Sequence, residues 1–171
     1  MNPEDVAELR RKAYNLAEKY ERQYGGCSQC VLGAIKDTVG GIGDDVFKAG
    51  TGLAGGIGLT GNSCGALTGG VMAISSYLGR EYANFADPDR VRFKTFELAA
   101  KLQGRFAEEY GTSLCRQIQK KTIGKSFDLW NKEEYKEFIE AGGHTTKCPS
   151  VCGFAAACVI DLLYEAKLIQ D

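Results

Sequence analysis

The chain has one histidine and no surplus of positive charge, and each shortage removes a class of function. His144 is the only histidine and stands in the loop-like "AGGHTTKCP", so a Ser-His-Asp set is not expected. Lys and Arg total 21 against 22 Asp and Glu, so no basic stripe is left over for a phosphate backbone or an anionic membrane surface. Nucleic acid is not an expected partner. The glycine-rich stretch lacks the G-K-[ST] ending and the preceding strand of a phosphate-binding loop, which removes the nucleotide-binding reading. The N-terminal "MNPEDVAELRRKAYNLAEKY" has neither the apolar core nor the small-residue cleavage site of a secretory signal, so a cytoplasmic location is expected. Charge is absent from Ala49 to Gly79, but the ten glycines of that stretch, with Asn62 and Ser63, make it a poor lipid-facing span. It reads as the buried central segment of a fold with no membrane partner.

Period-two alternation is missing as well, so strands are not expected. No repeat, low-complexity tract or linker divides the 171 residues. Residues 1–171 read as a single domain, long enough to bury a core without disulfide staples.

What is present is a series of helix signals. Asn2 as N-cap, Pro3, then Glu4 and Asp5 open an amphipathic helix that runs to Gly25-Gly26. A second helix begins at Cys27 and ends near residue 40, and Asp44 caps a short third piece. Cys64, Leu67, Val71, Ile74 and Leu78 mark one core-facing stripe. Asp87-Pro88 opens a longer helix that Gly111 closes, Thr112-Ser113 starts a short one, Asn131 caps another, and Pro149 opens the last. The chain therefore reads as all-α, a bundle of six to eight helices with a glycine-rich central segment. Trp130 and the aromatic residues of the longer helix read as core.

Seven cysteines stand out against this background: Cys27, Cys30, Cys64, Cys115, Cys148, Cys152 and Cys158. In a reducing compartment such a set points to metal binding or redox work rather than a disulfide framework. Cys27, Cys64, Cys115 and Cys148 each fall at or within the first turn of a predicted helix. There, unpaired backbone N–H groups and the helix dipole favour an anion, so a lowered thiol pKa is expected. Cysteine is also a small buried hydrophobe, and each site taken alone fits that description equally well. Gly65 and Gly69 lie beside Cys64 in "CGALTG", where each costs about 1 kcal/mol against alanine. Close approach of a cofactor to the cysteine offsets that cost, and so does plain helix packing; both remain open.

The hexapeptide "CGALTG", residues 64–69, resembles the CGAxxG motif of the C_GCAxxG_C_C family of redox-active proteins, which carry four characteristic cysteines. "GCSQCVLGAI", "SLCRQI" and "KCPSV" are similar to its other landmarks, with Cys27, Cys115 and Cys148 in the family positions. The resemblance spans about residues 10–165. It implies a helical, cytoplasmic protein whose four cysteines are redox-active or hold an iron–sulfur centre. A related domain occurs in split-Soret cytochromes, but this chain has no C-x-x-C-H sequence, so covalent haem is not expected.

Three readings follow. The first is an iron–sulfur or other metal site made by Cys27, Cys64, Cys115 and Cys148, passing electrons to an unknown redox partner protein. The second is metal-free thiol–disulfide exchange, with Cys27 and Cys30 as a C-x-x-C pair or with pairs among the four cysteines. The third is a helical interaction module with inert, buried cysteines. Cys148 and Cys152 share a helix face and fit a pair, a metal site or core packing. His144 reads as a loop residue within reach of the same site. A homodimer is expected if the apolar, glycine-rich surface pairs with its copy.

Overall fold

The computed structural model describes residues 2–170 and is all-α, with eight α-helices and no strand among the described residues. They are α1 (Pro3–Tyr24), α2 (Cys27–Val39), α3 (Asp44–Ala49), α4 (Gly65–Leu78), α5 (Val91–Tyr110), α6 (Cys115–Ile123), α7 (Lys132–Glu140) and α8 (Cys148–Glu165). α1 starts as its sequence demands. Asn2 Oδ1 accepts from the amides of Glu4 and Asp5 at 2.8 and 3.0 Å, and Asp5 Oδ2 accepts from the Asn2 amide at 2.8 Å, closing a capping box.

α8 is apolar on every side and is accordingly the centre of the bundle. It lies along α1 and also touches α2, α4 and α5. Small residues make the approach close: Ala13 and Ala17 of α1 and Ala155 and Ala156 of α8 are fully buried, and a Cβ on Gly153 would come within 2.8 Å of the Tyr14 ring. α2 and α4 pack as tightly, with Gly69 pressed onto the backbone of Ser28. By length and composition, the Gly143–Glu165 segment is apolar enough to cross a membrane, and 67% of its most apolar window is buried inside the fold. α4, from the charge-free stretch, has 14 residues, short of the ~20 a span needs.

Three local expectations are corrected. Pro88 does not open α5; the helix starts at Val91, and Asp87 caps it from four residues back, accepting from the amides of Val91 and Arg92 at 2.7 and 3.2 Å. The cause is the left-handed turn at Asp87 and Arg90, which folds the carboxylate over the helix end. Asp44 is the first residue of α3, with Gly43 as its cap. Trp130 is 71% exposed, and Phe93 and Phe96 of α5 also face outward, whereas Phe106 and Tyr110 are core.

Candidate functional site

Each of the four candidate cysteines stands at the N-terminal end of a helix. Cys27, Cys115 and Cys148 are the first residues of α2, α6 and α8, and Cys64 is the N-cap of α4. The chain reaches these places by distinct local devices. Gly25 and Gly26, both at positive φ, turn the end of α1 into the start of α2. Cys64 and Cys115 are held side by side by an antiparallel bridge at Ser63 and Leu114, in which the Cys64 amide donates to the Ser113 carbonyl at 2.8 Å and the Cys115 amide to that of Asn62 at 2.7 Å. Arg116 fastens the same pair of segments, donating from Nε to the Gly61 carbonyl at 3.1 Å. Cys148 follows a π-helical turn, Gly143–Lys147, which contains His144.

Between α2 and α4 the chain makes an unusual wall. Gly55, Gly56, Ile57, Gly58 and Leu59 are consecutive and all left-handed, with φ of 61, 73, 64, 58 and 63°. For Ile57 and Leu59 this conformation costs about 1–2 kcal/mol each. The turn is secured from outside by Trp130, whose Nε1 donates to the Gly58 carbonyl at 2.9 Å.

These elements enclose a cavity of 560 Å³ lined by Cys27, Cys64, Cys115, Cys148 and Cys152. The four cysteines singled out from sequence thus meet in one place, and Cys152 joins them from one turn further along α8. Cys152 Sγ points at the Cys27 carbonyl oxygen, 3.8 Å away. Cys30 sits just behind the cavity wall and donates its thiol to the Gly25 carbonyl at 3.1 Å. Cys158 lies elsewhere, beside Arg105 on the far stretch of α8. All seven are free thiols. Gly65 lies against Cys27 Sγ, so close that a Cβ there would collide with it, while Gly69 serves the contact with α2.

The remaining cavity lining is apolar and aromatic, apart from a few polar groups that include a pair of one buried and one half-buried side chain. Glu21, 2% exposed on α1, meets His144 Nδ1 through Oε1 at 2.8 Å. Its other oxygen, Oε2, is buried with no hydrogen-bond partner. The edges of Phe138 and Tyr135 hold the His144 ring at 5.2 and 6.3 Å. Sequence reading passed over Glu21, which looks like any charge of the "AEKYERQY" helix, and its partner is 123 residues away.

The first-turn positions do not lower the thiol pKa values. Burial pushes Cys64 up to about 12 despite the opposing N–H groups of Leu67 and Ala66, and pushes Cys115 up to about 12 despite the nearby Arg116 and the Gln119 amide. Cys27, Cys148 and Cys152 are raised by the same desolvation, and the carboxylate of Glu21 adds to it. Helix-end N–H groups are too weak a counter-charge once water is removed.

The donor set fits an iron–sulfur centre. Cysteine sulfur is its standard ligand, and five cysteines line the cavity. Among the described residues no three His, Cys, Asp or Glu side chains gather closely enough to hold a single metal ion.

No curated protein and no solved structure matches the chain. Residues 24–162, from the end of α1 through most of α8 and including all seven cysteines, match the family described as "Putative redox-active protein (C_GCAxxG_C_C)". The chain belongs to the C_GCAxxG_C_C redox-active protein family.

Proposed function

We propose that this chain is an electron carrier that holds an iron–sulfur centre through Cys27, Cys64, Cys115 and Cys148 and exchanges electrons with a partner protein in the reducing cytoplasm. The observation that carries this reading is the arrival of four helix N-termini, each with a cysteine, at one cavity. When bound, such a centre takes up and releases single electrons at a potential set by its charge, burial and hydrogen bonds to sulfur.

The chain's own groups suit that task. N–H groups of Gly55 and Ser28 face Cys27 Sγ, those of Leu67 and Ala66 face Cys64, and Gln119 Nε2 donates to Cys115 Sγ at 3.6 Å. Each stabilises negative charge on sulfur and shifts the potential upward. Trp130, exposed outside yet lining the cavity, stands between the cavity and solvent.

Metal-free thiol–disulfide exchange is less well supported. Both chemistries need the thiols deprotonated; what favours the metal reading is that the four cysteines come from four separate helix ends and not from one C-x-x-C pair, Cys30 lying outside the cavity lining. The two readings are separated by serine variants of the four cysteines, compared with Cys158→Ser, assayed for iron and acid-labile sulfide after anaerobic reconstitution. Loss of iron in each of the four, with Cys158→Ser unchanged, is expected. Retained iron in all four variants would reject the ligand set.

A further inference from the structure

α5 gives only one side to the fold. Thr95, Leu98, Leu102, Phe106 and Tyr110 are its buried residues, facing α4 and α8. The opposite side carries Phe93, Phe96, Ala100, Gly104 and Ala107, whose spacing of three, four, four and three residues aligns them in one narrow stripe. Phe93 is 44% and Phe96 58% exposed, and their rings stand edge to face at 5.7 Å. Ala100 and Ala107 are exposed, and a Cβ added to Gly104 would meet nothing within 4 Å. The Arg90 and Arg92 guanidinium groups lie over the Phe93 ring, 4.5 and 4.8 Å from its centre, and exposed aromatics clustered with arginines are residues that anchor interfaces. The glycines of α4, by contrast, are internal: Gly65, Gly69 and Gly70 are all buried, so that helix offers no pairing surface.

The α5 stripe is large at one end and small at the other, which makes it complementary to itself. Laid antiparallel on its copy, Phe93 covers the partner's Ala107 and Phe96 the partner's Gly104, while Ala100 meets itself on the two-fold axis. A two-fold contact uses the same patch on both subunits, as this pattern requires. The flanking charges select the same register. Lys94, Glu97, Lys101 and Glu108 line one flank of the stripe, Glu97 and Lys101 being paired with each other at 3.0 Å within the helix; in the antiparallel pair Lys94 faces the partner's Glu108, and the Glu97–Lys101 pair faces its own copy with opposite charges aligned.

We propose that the chain forms a two-fold homodimer through antiparallel α5 helices, anchored by Phe93 and Phe96. One 20-residue helix contributes less than the roughly 800 Å² per partner of a standard interface, so dissociation on the order of micromolar is expected.

The test is analytical ultracentrifugation of the full chain under reducing conditions across a micromolar concentration series, with circular dichroism as the check on folding. The wild-type mass should rise from 18.5 kDa toward twice that value. Phe96→Glu and Lys94→Glu, both at exposed positions, should leave helicity unchanged and weaken association by about tenfold or more. The double variant Lys94→Glu/Glu108→Lys should restore it to near wild type. A wild-type chain that stays monomeric, a dimer indifferent to Phe96→Glu, or a charge swap that fails to restore pairing would each overturn the proposal.

Discussion

Gly65→Ala separates the thiol site from the fold that carries it. Gly65 is the first residue of α4, and an added Cβ would collide with Cys27 Sγ while lying 3.0 Å from the Leu53 carbonyl oxygen and 3.1 Å from Ala54 Cα. The last two are backbone atoms of a wall with little freedom, so the thiol must give way. Alanine returns at most about 1 kcal/mol of helix propensity, and overpacking removes about 1–3 kcal/mol. The net loss is about 0–3 kcal/mol, a fall in Tm of no more than about 12 °C for a chain of this size. Gly70→Ala is the control on the same helix, since its Cβ meets only the side-chain ends of Leu102 and Val159, at 2.8 and 3.1 Å. Urea unfolding measures stability, and iron and sulfide per chain after anaerobic reconstitution measure the site. Both variants should unfold at similar urea concentrations, while Gly65→Ala loses most of its iron and Gly70→Ala keeps it. Full iron loading in Gly65→Ala would refute the claim that Cys27, in the place it occupies against α4, is a ligand.

Two further outcomes follow from the charges around the cavity. Cys64 titrates near 9 when unfolded and at about 12 in the folded, metal-free chain, so between those values the unfolded state has lost a proton that the folded state keeps. Stability is therefore full below about pH 9 and falls as pH rises toward 12, by up to about 1.4 kcal/mol per pH unit for this thiol; thermal melts of metal-free chain should show the decline and Cys64→Ala a shallower one, and equal slopes would contradict the assignment. Glu21 raises the pKa of Cys27, Cys148 and Cys152, so Glu21→Gln should speed alkylation of the metal-free chain by iodoacetamide at mildly alkaline pH by a few-fold or more, and an unchanged or slower rate would show that its charge does not reach the thiols.

The helix starts were legible because each is written in a few adjacent residues: Asn2-Pro3, Gly25-Gly26 before Cys27, Thr112-Ser113 before Cys115, and Pro149 after Cys148. That the starts of α2, α4, α6 and α8 meet at one cavity is a property of how these helices pack, which no local pattern states. The thiol pKa values went the other way from expectation because a helix end is read from neighbours in sequence, whereas desolvation depends on everything packed around it. Glu21 and Cys152 join the site through contacts across the bundle, and Cys152 looked as much like core packing as chemistry. The left-handed run from Gly55 to Leu59 was hidden by Ile57 and Leu59, residue types that avoid that conformation unless the surroundings impose it. Phe93 and Phe96 read as core because aromatics on a helix usually are; only the packed bundle shows that α4 and α8 lie on the other side of α5.

The most direct test of the account is iron and acid-labile sulfide per chain in protein purified without oxygen, read together with its visible spectrum. Stoichiometric iron and sulfide with visible absorption, both lost in Cys64→Ala while helicity persists, is the predicted result. A colourless chain that takes up neither iron nor sulfide on reconstitution would contradict it.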